Sequence, residues 1–336
     1  MASADLGVRD ARGEWKPTER IEFPPPFQWP PRPLAFLKWM FGFPGYLWPL
    51  NAFWFGTTAL TWFVLTPPLE SMATFRPGWM ALILARNAAL MFVWFGLWHV
   101  RLYVQRAQGM RYKFSSRWLS TKHRGFTFNH QTRDNVFWSM VSGGGIWSAY
   151  EILTLWAYAN EYLPFVELRT NPVYFVALLV LIPLIRDIHF YWVHRLLHWK
   201  PIYKAAHYLH HRNINVGPWS GLSMHPVEHL LYFTGVFLHW ILPSHPLHAI
   251  YHLQHAALSP ATGHTGYEKA ELGDESLALK HGSYYHYLHH RYFECNYAGD
   301  NGMMFDRLFG SFHDGTEEGH AKMRARTHAR MRKRRT

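Results

Sequence analysis

The chain has 336 residues, 49% hydrophobic and 18% aromatic, with a net charge of +12 at neutral pH, and long uncharged runs argue against a pair of soluble domains. Its one cysteine, Cys295, excludes disulfides within the chain and zinc sites built from several thiolates, so any metal must be held by histidine and carboxylate. The basic excess comes with no nucleic-acid-binding signature, which excludes nucleic acid as the expected partner and leaves anionic lipid.

Residues 1–40 are polar, with Arg9, Arg12, Lys16 and Arg20 ahead of a proline-rich run. They lack the apolar core of a cleavable signal and read as a cytoplasmic arm lying along the membrane surface. Met40 to Leu69 holds no Asp, Glu, Lys or Arg and opens a membrane region taken as 41–185. Spans are predicted at about 42–66, 78–100, 135–158 and 171–190. Arg86 and Asn87 in the second and Glu151 in the third must face protein or a cavity. Gly143, Gly144 and Gly145 suit close helix packing. Arg101 to Arg133 carries eight Lys or Arg, and placing that loop in the cytoplasm puts the N-terminal arm and the end of the fourth span there too.

Residues 186–315 then form a cytoplasmic cap rich in histidine. An apolar stretch at 226–258 interrupts it, and ProSerHisPro at 243–246 breaks that stretch into two arms. Each arm is roughly 21 Å of helix, short of the roughly 30 Å hydrocarbon core, so a re-entrant hairpin is expected in place of a fifth span. Residues 316–336 are a basic tail. The expected fold is all-α and integral to the membrane: about four transmembrane helices, the hairpin and the histidine-rich helical cap.

The hexapeptide HYLHHR occurs twice, at 207–212 and at 286–291, and Arg186 to His198 supplies a third histidine segment. At about 100° per residue, His194 and His198 lie within about 40° of each other, while His207, His210 and His211 share a face, as do His286, His289 and His290. Asp187 falls about 20° from the His198 direction and His189 on the opposite side. Eight imidazoles are too many for one ion and suit two. The zinc-protease signature HExxH is absent. A metal transporter would place ligands in mid-membrane along a path, whereas these cluster beyond the end of the fourth span.

These segments resemble the membrane-bound sterol desaturase and fatty acid hydroxylase superfamily over residues 180–315. AspIleHisPheTyrTrpValHisArgLeuLeuHis looks like its first histidine box and the two hexapeptides like its second and third. HisProValGlu at 225–228 looks like its HPxE segment, and GlyHisThrGlyTyr at 263–267 like its HSGY segment. AsnTyrAlaGly at 296 and PheAspArgLeuPheGlySer at 305 resemble its closing region. The first 170 residues match only as apolar spans.

The resemblance implies His194, His198, His207, His210, His211, His286, His289 and His290 as ligands of two iron ions, with His264 as a ninth. It implies His225 and Glu228 as outer ligands or partners of ligands, and Asp187 as a carboxylate that orients an imidazole or pairs with Arg186 or Arg195. His229, His239, His245, His248, His252 and His255 match no box and receive no role, and His281 stands five residues ahead of the third box.

Two Fe(II), with O2 as co-substrate, would take hydrogen from a lipid carbon, and hydroxylation and desaturation diverge only after that step. The expected reaction is hydroxylation of a sterol, an acyl chain of a polar lipid, or a carotenoid, entering past Phe190, Tyr191, Trp192 and Trp219. No nucleotide-binding fingerprint occurs, so electrons must come from an external donor such as a ferredoxin or small haem protein docking on the basic arm and tail. The catalytic face is expected to be cytoplasmic, in a bacterial inner membrane or the endoplasmic reticulum. The alternatives are a lipid desaturase, a zinc-binding transporter or sensor, and a membrane hydrolase using zinc.

Overall fold

Proline opens several of the helices, at Pro33, Pro77, Pro172, Pro226 and Pro246. Its fixed φ suits a first turn, and its missing N–H is one that no helix uses. The computed structural model describes residues 7–271, 278–280 and 283–333; His281 lies outside them. Helix α1 spans Pro33–Phe41, α2 Ala52–Val64 and α3 Pro77–His99, which continues through a π-helical turn to Val104. Helix α4, Gln131–Phe137, passes through the π-segment Trp138–Gly144 into α5, Gly145–Ala159, and α6 spans Pro172–Leu197.

Among the described residues, two helices are long and apolar enough to cross a membrane, Pro77–Val104 and Pro172–Leu197. The expected first span is broken instead. Trp48 leaves the helical region (φ −120°, ψ 141°) just before Pro49, the conformation that a following proline favours, and α2 begins only at Ala52. The expected third span runs from α4 through α5 but buries Ser139, Ser142, Ser148 and Glu151 along its length. Glu151 forms an ion pair with Arg86 and accepts from Asn87 Nδ2 at 2.8 Å, so the polar residues of the second and third apolar stretches satisfy one another.

Beyond α6 come α7 (Lys200–Ile202), the π-turn Tyr203–His207 and α8 (Tyr208–His211). The hairpin follows. Helix α9 (Pro226–Tyr232), a 3₁₀ stretch and α10 (Leu238–Ile241) form one arm, and α11 (Pro246–Leu258) returns. Every residue of α11 is buried, and it packs against α2, α5 and α6, so protein encloses this arm. At the tip, Ser244 N donates to Pro164 O at 3.0 Å and His248 Nε2 lies 2.9 Å from Phe175 O, beside the start of α6. The tip is therefore distant from His194, which lies roughly 28 Å further along α6 at 1.5 Å per residue.

Helix α12 (Pro260–Gly263), a two-stranded hairpin, α13 (Tyr284–Tyr292), α14 (Met303–Leu308) and α15 (Glu317–Lys333) complete the cap. The first part of the N-terminal arm folds onto this cap. Gly7–Arg9 pairs antiparallel with Trp15–Pro17, Trp15 packs on Tyr112 and Phe114, Glu14 pairs with Arg291 of α13, and Lys16 with Glu317 of α15. Lys113, one of the eight basic residues after the second apolar stretch, is buried. Its Nζ donates to Arg117 O at 2.9 Å, and burial pushes its pKa down to about 7.

Candidate metal centre

On a helix, residues four apart stack on one face, and the histidine boxes use this spacing three times. His194 and His198 at the end of α6, together with His207 just before α8 and His211 at its last position, join His289 of α13 in one group. His286 and His290 of α13 join His210 of α8 and His264, at the end of α12, in the second. Within each group the nitrogens offered all lie within 4.8 Å of one another. The duplicated hexapeptide thus works by exchange. In each copy the outer pair enters one group, and the remaining histidine, about 100° around the helix, crosses to the group of the other copy.

Hydrogen bonds orient the rings. His194 Nδ1 lies 2.6 Å from Tyr297 O, His289 Nδ1 2.7 Å from Cys295 O, His264 Nδ1 2.9 Å from Pro260 O, and His207 Nδ1 2.7 Å from Glu228 Oε1. A carbonyl can only accept, so Nδ1 carries the proton and Nε2 presents a bare lone pair in these neutral rings. Burial, with the neighbouring rings adding to it, pushes His207, His211 and His289 well below the usual histidine pKa, and His264, His286 and His290 likewise; burial takes His210 to about 4.

The Nε2 atoms converge at 3.1 Å for His194–His207, 3.2 Å for His198–His289 and 3.0 Å for His211–His289. In the second group they stand 3.0 Å apart for His264–His286 and 3.2 Å for His286–His290. Neutral lone pairs facing one another at such distances repel unless a cation lies between them. Ligands at right angles and about 2.1 Å from one ion stand about 3.0 Å apart, against about 3.4 Å for tetrahedral ones. The spacing therefore fits a metal with more than four coordination positions, and both groups have donors suited to iron, zinc or a similar ion.

Residues 179–311 match the family model for fatty acid hydroxylase. The chain carries a fatty acid hydroxylase domain. The chain is also similar to sterol desaturases and to a methylsterol monooxygenase. It is 31% identical over 129 residues to the Delta(7)-sterol 5(6)-desaturase of Candida glabrata, covering 38% of this chain and 33% of that protein. It is 30% identical over 142 residues to the methylsterol monooxygenase erg25A of Aspergillus fumigatus, covering 40% and 46%. To the Delta(7)-sterol 5(6)-desaturase of Eremothecium gossypii it is 28% identical over 174 residues, covering 50% and 46%. The chain thus spans less than half the length of these relatives. No solved structure matches it.

The hydroxylase domain supports its histidines from residues that the motif reading passed over. Asp306 accepts from Tyr297 N at 3.0 Å, Ala298 N at 2.8 Å and Ser311 Oγ at 2.5 Å, and also from Tyr285 Oη. It thereby fixes the loop whose carbonyls at Cys295 and Tyr297 orient His289 and His194. Its signal lay in the closing PheAspArg segment; the carbonyls have none, because any residue supplies one. Gly266, two residues after His264, has φ +78°, and a Cβ there would collide with Tyr103 Oη and lie 2.7 Å from Val216 O.

Asp187 does not orient an imidazole. It accepts from Arg186 Nη1 at 2.8 Å and from Asn301 N and Nδ2 at 3.1 and 2.9 Å, tying α6 to the loop after Gly299. Glu228 is the carboxylate on an imidazole. His225 belongs to neither group; its Nδ1 accepts from Val227 N at 3.2 Å and caps α9.

Of the four aromatics expected to line an entry slot, Phe190 lines a cavity of about 290 Å³ beside the second group, and three do not. Tyr191 stacks on Phe305 within the cap, Trp192 packs against Phe305 and Phe309 with half its surface exposed, and Trp219 is buried against Phe95. Helical spacing reported that these rings were close in sequence to the histidines but not which side of α6 faces the cavity. His210, His264 and His286 form one wall of that cavity, and Tyr46, Leu50 and Trp54 another.

Proposed function

We propose that the protein is a membrane-bound oxygenase that uses two iron ions, O2 and external electrons to hydroxylate a C–H bond of a membrane lipid. The observation that carries this reading is the convergence of nine neutral imidazoles into two groups, one of which borders a cavity of about 290 Å³ that is partly lined by apolar side chains. His194, His198, His207, His211 and His289 hold one ion, and His210, His264, His286 and His290 the other. Iron held there would supply the O2 chemistry needed to take hydrogen from an unactivated carbon.

The protein's residues set where that happens. Four imidazoles leave room for further ligands in the second group, and His210, His264 and His286 present it to the cavity. Phe190, Leu50 and Trp54 hold the apolar body of the substrate and exclude water. Glu228 keeps His207 in the tautomer whose Nε2 is free. The lipid enters from the bilayer, between the helices before α3 and the cap. In this reading four apolar segments within 41–185 and its continuation into α6 cross the membrane, the hairpin dips in, and the cap at 186–315 lies on the cytoplasmic side, in a bacterial inner membrane or the endoplasmic reticulum. A ferredoxin or small haem protein delivers electrons to the basic surface formed by the N-terminal arm and the tail beyond 316.

Glu151 is already paired with Arg86, which removes the carboxylate that a transport path would need, and a five-imidazole group has no place in a hydrolase built on one metal-bound water. Desaturation is a second reading, favoured by the names of the sterol desaturase relatives. Lipid mass spectrometry on cells expressing the protein, with and without O2, tests both. Hydroxylation adds one oxygen atom to a lipid and desaturation removes two hydrogens, in each case only with O2 and not in His210→Ala. A product formed without O2 overturns the proposal.

A further inference from the structure

Histidines outside both groups form a line through the hairpin. His239 and His252 are 0% and 2% exposed. Ser244 Oγ, at the hairpin tip, lies 2.9 Å from His239 Nδ1, and His239 Nε2 lies 3.1 Å from His252 Nδ1. His252 and His189 then border a small cavity of about 10 Å³, close to the space one water needs. That space exists because residue 235 is glycine. A Cβ there would sit 2.9 Å from His252 Nε2 and 3.2 Å from His189 Nδ1. Both ring nitrogens thus face the same small cavity, and one water inside it, standing clear of the Gly235 backbone, would join them. Arg186 Nε, buried and without a partner, belongs to a third residue on the wall. Arg186, Phe190 and Tyr232 line both this small cavity and the larger one beside the second histidine group.

Each imidazole can take a proton at one ring nitrogen and release one at the other, which a chain of amides or hydroxyl-free side chains cannot do. Burying such a line inside an apolar hairpin is costly without a use for it. His189 Nε2 lies 2.9 Å from Thr234 Oγ1, whose hydroxyl donates to Leu231 O, so His189 ends the line with its Nδ1 toward the small cavity; the other neighbouring polar groups do not interrupt it. His248 is held by Phe175 O and His245 N, Tyr158 Oη donates to His239 O, and Asp187 at 2.8 Å offsets the charge of Arg186.

We propose that Ser244, His239, His252, a water beside Gly235 and His189 form a proton relay from the hairpin tip to the wall of the substrate cavity. The inference rests on the oxygenase reading. Hydroxylation of R–H by O2 gives R–OH and one water, and it consumes two electrons from the external donor and two protons, which the relay delivers. The outer end lies next to exposed Leu242, beside the start of α6, so the protons enter at the end of the helix opposite the clustered histidines.

The test uses the full-length, metal-loaded protein in lipid nanodiscs. Gly235→Ala displaces the bridging water without removing a titratable group, and His239→Gln and His252→Ala remove relay members. Turnover is expected to fall on the order of 100-fold in each, with KM for the lipid and the thermal midpoint unchanged, and added imidazole restores His252→Ala. Unchanged turnover overturns the relay, as does a loss that imidazole leaves in place while the thermal midpoint drops. Nitrogen-15 NMR of histidine-labelled, metal-free protein reads the line without turnover. His239 and His252 exchange between tautomers in the parent and are frozen in Gly235→Ala; a single fixed tautomer in the parent overturns the relay. A parent that consumes no O2 refutes the oxygenase reading, and the NMR result still decides whether the line carries protons.

Discussion

Glu228 offers a perturbation confined to one of the two histidine groups. Its Oε1 accepts from His207 Nδ1 at 2.7 Å, in a site where the residue is 1% exposed. Burial pushes the Glu228 carboxyl above its usual range, and the His207 Nδ1–H favours the carboxylate that accepts it; Glu228→Gln keeps an acceptor but removes that charge. A hydrogen bond to a charged group contributes about 1.5–3 kcal/mol and a neutral one about 0.5–1.5, so the substitution should weaken the His207 ligand by about 1 kcal/mol, or roughly five- to tenfold in affinity for the ion it helps to hold. Glu228→Ala leaves the Nδ1–H unpaired in a buried site and should cost about 10- to 100-fold. Chelator competition followed by metal analysis measures this directly. Under a challenge that the parent survives with both ions, Glu228→Ala should retain one, because the histidine that Glu228 hydrogen-bonds is His207, of the other group. Equal loss of both ions, or no loss of either, would refute the assignment of Glu228 to a single group.

Three further outcomes follow from the geometry. Glu151→Ala leaves Arg86 buried without its carboxylate and should destabilise the protein by about 3–5 kcal/mol, while Arg86→Met combined with Glu151→Met recovers most of that; thermal unfolding in detergent checks both. Gly266→Ala forces a Cβ onto Tyr103 Oη at φ +78° and should lower the thermal midpoint and deplete the ion held by His264, with metal analysis and calorimetry as readouts. The metal-free protein should lose stability on acidification. His198, His207, His210, His211, His264, His286, His289 and His290 are held below the ordinary value of 6.5, chiefly by burial. Below about pH 6.5 the unfolded chain takes up protons that the folded chain refuses. Stability is therefore fully present above that pH and falls as pH drops through it, by up to about 1.4 kcal/mol per unit for each ring. Denaturant titrations across pH 5–8 test this, and a flat profile would contradict it.

The nine histidines that form the two groups were legible because spacing on a helix is a local property. HxxxH and HxxHH place rings on a face whatever the rest of the chain does, and His264 came with a motif whose Gly266 has its own backbone reason. Their division between two groups was not legible, since it depends on how α8 and α13 cross. Of the two roles open to Asp187 the pairing with Arg186 is the one found, and Glu228 takes its expected place as the partner of a histidine in the groups. A carboxylate one helical stripe from His198 looks well aimed, but the loop after Gly299 reaches it first, while Glu228 meets His207 only once the hairpin folds back. The backbone break at Trp48 and Pro49 was not legible, because a run without charges concealed it. Hydropathy alone could not assign His239 and His252, because they meet only when the two arms of the hairpin pack together.

The central claim is that two sets of imidazoles each hold a metal ion. It is tested most directly by loading the purified protein with Fe(II) without O2 and recording metal content together with X-ray absorption. The account predicts about two irons per chain, each with a shell of nitrogen at about 2.0–2.2 Å, and about one iron per chain in a variant lacking His286 and His290. A single iron in the parent, or a shell containing sulfur, would contradict it.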